Sequence, residues 1–312
     1  MRKPHLTVGA LLAVAALASG VWSAVAQEAS STGVPVRVVV TVEPRHGSNV
    51  PVINREDVMV YQGHDRAKVT DWIPLQGEQA RLQLFILIDD AASTSLGSQL
   101  EDIRQFINAQ PSTTAIGVAY MRNGTAEILK NPTDDHTQAA KALRLPMGDP
   151  GGSGSSYFSL VDLIKRWPEG TVRREILMLS DGIDRFGGSG PSDPYVDSAI
   201  EEAQRAGVII YSIYTPGVDH YGHSFWRMNW GQNYLSQLSD ETGGESYYIG
   251  FGAPVSFAAY LDDLSHRLNR QYLLTFLGKP ERKAGFQPIK LRTEVPNAEL
   301  VAADRVYVPA GI

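Results

Sequence analysis

The chain of 312 residues contains no cysteine. That excludes disulfides, thiolate metal ligands and a lipid-modified cysteine, so packing alone has to hold the fold together. An excess of basic charge is also missing. Lys and Arg number 28 against 34 Asp and Glu, giving a net charge of −6. A nucleic-acid binder usually carries a basic footprint, so nucleic acid is not an expected partner. Beyond the N-terminus there is no apolar run near the ~20 residues that a membrane-spanning helix needs. Catalytic signatures are lacking as well. Gly151 to Ser156 is rich in glycine, but no Lys follows as a phosphate-binding loop requires. Neither a G-x-S-x-G elbow nor H-E-x-x-H is present, so a hydrolase would have no nucleophile in a recognisable setting.

What is present begins with a three-part leader. Arg2 and Lys3 are basic, Leu6 to Trp22 is mostly apolar, and Ala24-Val25-Ala26 is an A-x-A site before Gln27. This pattern predicts a signal peptide over residues 1–26 and an exported protein, periplasmic or secreted, with no stable membrane span once the leader is cut. Cleavage would remove two basic and no acidic side chains, moving the net charge from −6 to −8. Residues 27–33 are small and polar and form a linker.

Residues 34–78 are β-rich. Val34, Val36, Val38, Val40 and Val42 recur with period two, the mark of a strand with one buried face. Shorter strands are expected at Asp57–Gln62 and Lys68–Ile73. Residues 79–270 then alternate strand and helix. Leu82 to Asp89 (LQLFILID) is continuously apolar, as a parallel strand buried on both faces requires. Asn123-Gly124 signals a tight hairpin, hence one antiparallel edge pair. Helices are expected over residues 96–108, 134–143, 157–167, 193–206, 234–241 and 255–269, the fifth ended by Gly243-Gly244. Strands are expected at 175–180, 207–214 and around 245–250. Residues 271–309 return to β character, with about three strands packing on residues 34–78. The fold class expected is α/β: a doubly wound, mostly parallel sheet, flanked by a small β unit formed from both chain ends.

Ligands of such sheets bind at the carboxyl ends of the strands. Those ends carry Asp89-Asp90-Ala91-Ala92-Ser93, the loop with Ser153, Ser155 and Ser156, and Ser180-Asp181-Gly182. Carboxylates with hydroxyls suit a hard cation such as Mg²⁺ or Mn²⁺. The alternative is that Asp89 and Asp181 cap helices and bond the loops. Asp219, His220 and His223 form a lesser candidate, since two His three apart in a polar loop are usually solvated. The loop 221–230 (YGHSFWRMNW) concentrates Tyr221, Phe225, Trp226, Met228 and Trp230 around Arg227. Such residues are enriched at interfaces. Phe225, Trp226 and Trp230 are the partner-binding candidates, against the plainer reading that they cover the sheet edge.

In the order FILIDDAAS, GGSGSSYFSLVDLI, EILMLSDGID and GVIIYSIY, the chain resembles the von Willebrand factor type A domain, and more closely the von Willebrand factor type A-related Acidobacterial domain family. VRVVV…NREDVMVYQG is similar to that family's N-terminal β segment, and LDDLSHRLNRQYLLTF to its last helix and following strand. The resemblance implies an α/β fold, a non-enzymatic binding role in adhesion or complex assembly, and a metal site. It carries Asp89, Ser93, Ser155 (Ser156 being the alternative) and Asp181 onto the metal-ligand positions. Ala91 replaces a ligand Ser, and starting from Asp90 does no better because Ala92 then does so. The site is degenerate and its Mg²⁺ or Mn²⁺ binding weak by this reading, with no other cofactor. The function expected is binding of a protein partner or extracellular ligand through this rim. The rivals are a metal-free scaffold that binds through the aromatic loop, and an unrecognised hydrolase.

The leader generates the first test. Mass analysis of the protein from its native host is expected to find Gln27 as the first residue. Recovery of intact Met1 would show that the leader is not removed.

Overall fold

The computed structural model describes residues 33–148, 154–168, 170, 172–186, 190–217, 224–247, 250 and 252–311. The leader, most of the linker, and Asp219, His220, Tyr221 and His223 lie outside the described residues, as does Ser153.

The apolar run of β4 (Leu82–Asp89) organises the larger sheet. Its neighbours are β5 (Thr114–Arg122) on one side and β7 (Arg173–Ser180) on the other, both parallel to it. β6 (Thr125–Thr133) returns antiparallel beside β5, and β8 (Val208–Tyr214) and the two-residue β9 (Ser246–Tyr247) extend the other side in parallel. The order is β6-β5-β4-β7-β8-β9. The hairpin between β5 and β6 turns on Asn123 and Gly124, with φ of 50° and 74°. Two positive φ angles in a row are what a type I′ turn demands.

Alternation divides the β4 run between two cores. Leu82, Leu84, Ile86 and Ile88 face α1 (Leu100–Ala109), α2 (His136–Lys141) and α6 (Ala258–Leu268). Phe85 and Leu87 face α3 (Ser156–Arg166), α4 (Pro194–Ala206) and α5 (Phe225–Thr242). Each of these buried side chains contributes roughly 1.5–3 kcal/mol relative to exposure. A strand feeding both layers tolerates no polar side chain along its middle, which explains the unbroken run. None of the helices among the described residues is long and apolar enough to cross a membrane.

The second sheet is antiparallel, with β1 (Val34–Pro44), β2 (Met59–Gln62) and β3 (Asp65–Pro74) from one end of the chain. β10 (Gln271–Gly278), β11 (Gly285–Arg292), β12 (Ala298–Val301) and β13 (Arg305–Val308) come from the other. Its order, β12-β1-β10-β3-β2-β11-β13, interleaves the two ends. β10 lies between β1 and β3, in register from Val34 opposite Gly278 to Thr41 opposite Gln271. Val36, Val40, Val42, Val58, Val60, Leu274, Phe276, Val306 and Val308 form the core of this unit. The expected fold class is therefore what is seen: a doubly wound, mostly parallel sheet with a β unit built from both ends.

Several elements differ from expectation. Where about three strands were expected over 271–309 there are four, the last stretch being divided into β12 and β13. Between them the chain leaves the sheet for the end of α5, where Asp304 N–H donates to Glu241 O and Asp304 accepts from Gln204 Nε2 at 2.8 Å. α6 starts later than expected because Ser256 Oγ and Phe257 N–H both donate to Asp102 Oδ2, at 2.7 and 2.8 Å. The largest departure is α5, which begins at Phe225 rather than Tyr234.

Polar groups tie the two sheets together. Gln271 of β10 donates to the Tyr211 hydroxyl of β8 at 3.0 Å. Arg267 of α6 bridges Asp263 and Glu245, at 2.8 and 2.7 Å, and also pairs with Glu43 of β1. Glu175 of β7 is fully buried beside Arg173, 3.6 Å away. Burial pushes its carboxyl above the ordinary range, against the pull of Arg173.

Because β10 carries the shared core, Phe276→Ala is expected to destabilise the protein by about 3–5 kcal/mol. Hydrogen exchange should then show faster amides in β1 and β3 together with β10. Faster exchange confined to β10 would contradict a common core.

Candidate functional site

The strand order reverses beside β4. The chain first moves outward to β5 and β6, then returns to place β7 on β4's other side. In such sheets the crevice between the diverging loops is where ligands sit. The loops leaving β4 and β7 meet here.

Asp89 closes β4 and is 5% exposed. Its Oδ1 accepts from Ala91 N–H at 2.9 Å. Its Oδ2 accepts from the hydroxyls of Ser156 and Ser180, both at 2.9 Å. Burial raises its pKa and the Asp181 charge raises it further, while Arg185 and these hydrogen bonds act in the other direction. Asp90 points to the opposite side, as alternation dictates. Arg144 grips it with two nitrogens at 2.7 and 3.0 Å, and Met147 N–H adds a third bond at 2.9 Å. Burial alone would raise this carboxyl, but the Arg144 and Met147 bonds bring it below its usual value.

Two neighbouring serines take different tasks at the start of α3. Ser155 is the N-cap, its Oγ accepting from Phe158 N–H at 3.4 Å and donating to Asp184 Oδ2 at 3.0 Å. Ser156, one residue on, supplies the hydroxyl to Asp89. Asp181 follows β7 and is 2% exposed. Its Oδ1 accepts from Ile183 N–H at 2.9 Å, and Arg185 reaches both of its oxygens, at 2.7 and 3.3 Å. Ser93 is occupied in its own turn, accepting from Ser95 N–H and Ser95 Oγ at 3.2 and 2.9 Å.

Of the four candidate ligands, Asp89 and Asp181 thus sit within one buried electrostatic cluster. Ser155 bonds Asp184 instead of Asp89, and the described hydrogen bonds of the Ser93 side chain all lie within its turn. A divalent ion such as Mg²⁺ or Mn²⁺ wants about six oxygens around it. Here every oxygen of Asp89 and Asp181 already accepts from an N–H or O–H, and Ala91 offers none. Among the described residues no three His, Asp or Glu side chains are grouped as metal ligands. The donor set as arranged does not fit the metal that the resemblance implies. Ser180, Asp184 and Arg185 belong to the site and are absent from the sequence-derived set. Their signal was the run Ser180-Asp181-Gly182-Ile183-Asp184-Arg185, where one cation follows two acids directly after a buried strand.

The stretch 221–230, expected as a loop, is helix from Phe225 onward. Ser224 Oγ caps it by accepting from Arg227 N–H at 3.3 Å. Phe225 and Trp226 are 50% and 63% exposed and meet edge to face at 5.7 Å. Trp230 is half-buried and packs against the α3–α4–α5 core. The Asp181 loop adds Phe186, 65% exposed, whose ring meets Phe158 at 5.6 Å and Tyr195 at 6.2 Å. α5 reaches this rim through glycine. A Cβ on Gly231 would lie 2.4 Å from Asp181 O, and one on Gly182 (φ +69°) 2.1 Å from Gly231 O.

No known family matches the chain, and no curated protein matches it in sequence. Solved structures similar to it include the von Willebrand factor type A protein from Catenulispora acidiphila, at 10% identity over 91% of this chain and 75% of that one, TM-score 0.44. An aerotolerance-related membrane protein from Bacteroides fragilis is 14% identical over 60% of this chain and 98% of that one, TM-score 0.43. The vWF domain of a type V pili tip protein from Porphyromonas gingivalis is 12% identical over 61% and 95%, TM-score 0.43.

The glycine contact yields a sign-inverting test. Gly→Ala inside a helix ordinarily stabilises by about 1 kcal/mol. Gly231→Ala is expected to destabilise instead, by about 1–3 kcal/mol, since the methyl group collides with Asp181 O. A urea midpoint at or above that of the wild type would sink the argument.

Proposed function

We propose that this protein is an exported, non-catalytic binding module of the von Willebrand factor A-like type, akin to the Acidobacterial-related family, and that it engages a protein partner in the periplasm or outside the cell. The observation that carries the reading is the pair Phe225 and Trp226, exposed at the start of α5 beside the strand ends. Large aromatic side chains with much of their surface exposed supply contact area and low-entropy anchors for a partner. The Asp181 loop exposes a further ring, Phe186.

Two ways of using this rim were open, through a metal held by the acidic loops or through the aromatic segment. The second is favoured. Asp89 and Asp181 are buried and engaged, whereas Phe225 and Trp226 keep half or more of their surface exposed. A catalytic reading finds less support. Ser155 and Ser156 each donate to a carboxylate, an arrangement without a histidine base among the described residues.

The test is affinity capture from the native envelope, comparing wild type with a Phe225→Ser/Trp226→Ser double variant of equal melting temperature. A specific partner is expected to bind the wild type, with EDTA having no effect, and to fall at least about tenfold with the double variant. Identical capture by both proteins would move the binding surface elsewhere.

A further inference from the structure

Arg185 supplies the strongest observation that the binding reading leaves unused. Two carboxylates at adjacent strand ends, Asp89 and Asp181, lie at 5% and 2% exposure. Burial raises the cost of charging Asp89, and the neighbouring Asp181 charge adds to it. Such a pair persists in ionised form only beside a cation. In the fold that the sequence resembles, that cation would be a metal. Here the required hydroxyl is lost at Ala91, and a guanidinium is present.

We infer that Arg185 is the resident counter-ion of this rim, a tethered cation that takes over the charge-neutralising task of a divalent metal. Its side chain is 8% exposed. Its fork meets both oxygens of Asp181, and its charge also acts on Asp89. A planar guanidinium matches a carboxylate with two parallel bonds, which a hydrated ion does not. The loop is shaped to deliver it. Asp181 accepts from Ile183 N–H and Asp184 from Phe186 N–H, two successive side-chain turns. Gly182 turns the backbone through a positive φ between them, and Arg185 Nη1 also donates to Ile183 O at 3.4 Å. The four-residue return from Asp181 places the guanidinium against the carboxylate it leaves behind. The rim holds its shape without a dissociable ion, so it is indifferent to metal supply. This inference is independent of which partner the aromatic rings engage.

The experiment measures melting temperature in EDTA and in up to about 10 mM Mg²⁺ or Mn²⁺, a span over which a ligand of the folded state registers as stabilisation. Wild type is expected to show no shift. Arg185→Ala leaves two buried carboxylates uncompensated and should melt about 10 °C lower. Millimolar Mg²⁺ should restore part of that loss, and more of it when Ala91→Ser is added. Arg185→Lys keeps the charge, and should lose less and stay indifferent to Mg²⁺. Should Arg185→Ala not fold, wild type alone decides by electron paramagnetic resonance of added Mn²⁺. An unchanged free-ion spectrum supports the inference, and a bound-ion spectrum abolished by Asp89→Asn overturns it. An Arg185→Ala protein as stable as wild type would overturn it equally. Partner capture by wild type in EDTA is scored separately, so failure of the binding reading leaves this result standing.

Discussion

Two carboxylates removed from water at neighbouring strand ends are the constraint from which the rest of the rim follows. β4 and β7 pair in parallel, so Asp89 at the end of β4 and Asp181 just after β7 come from neighbouring strand ends. Their charge has to be met within the fold. Ser156 and Ser180 turn their hydroxyls onto Asp89. Arg185 folds back onto Asp181. Ser155, displaced from Asp89 by one residue of helix, caps α3 and holds Asp184. The loops are ordered by this neutralisation, and the close approach of Gly231 to Asp181 then seats α5 and its aromatic side chains beside them.

The β unit answers a different need. A strand such as β1, valine on one face, is not stable without partners on both sides. The far end of the chain supplies them, and the α/β domain between the two ends brings them within reach. Arg267, reaching Glu43 as well as Asp263 and Glu245, and Gln271, bonded to Tyr211, fasten the unit to that domain.

Much of this was legible in the residues. The run from Leu82 to Asp89 marked β4, since its unbroken apolar stretch, Leu84 to Ile88, is what a strand buried on both faces requires. Asn123-Gly124 marked the hairpin and Gly243 the end of α5, since both need positive φ. The period-two valines of β1 announced a one-sided sheet and so a partner. What stayed hidden depended on contacts across the chain. The first turns of α5, from Phe225, were read as an aromatic loop, because the role of Gly231 there lies in touching the Asp181 loop. The choice between Ser155 and Ser156 turned on which residue caps α3, a matter of one helical step. Arg185 escaped notice because patterns of metal ligands are written in oxygens, and a cation on the protein's own side chain is not part of them.

The interleaving of the β unit also has a bearing on how the molecule comes to be folded. β1 pairs only with β10 and β12 in its sheet, both from the late, C-terminal part of the chain. His46 and Asn297, whose bonds close one end of that pairing, stand 251 positions apart. Of the elements made between β1 and β10, α6 packs on β1, through Val39 and the Arg267–Glu43 pair, and no strand made in between pairs with it. The α/β domain, richer in near-neighbour contacts, is able to form first, and the outer sheet closes as a late and slow event. Until then the valine-rich segment from Val34 to Val42 is an unpaired strand with an apolar face, the kind of segment that recruits like segments from other chains. Closure of the outer sheet by the C-terminal strands is therefore also what removes that exposed edge.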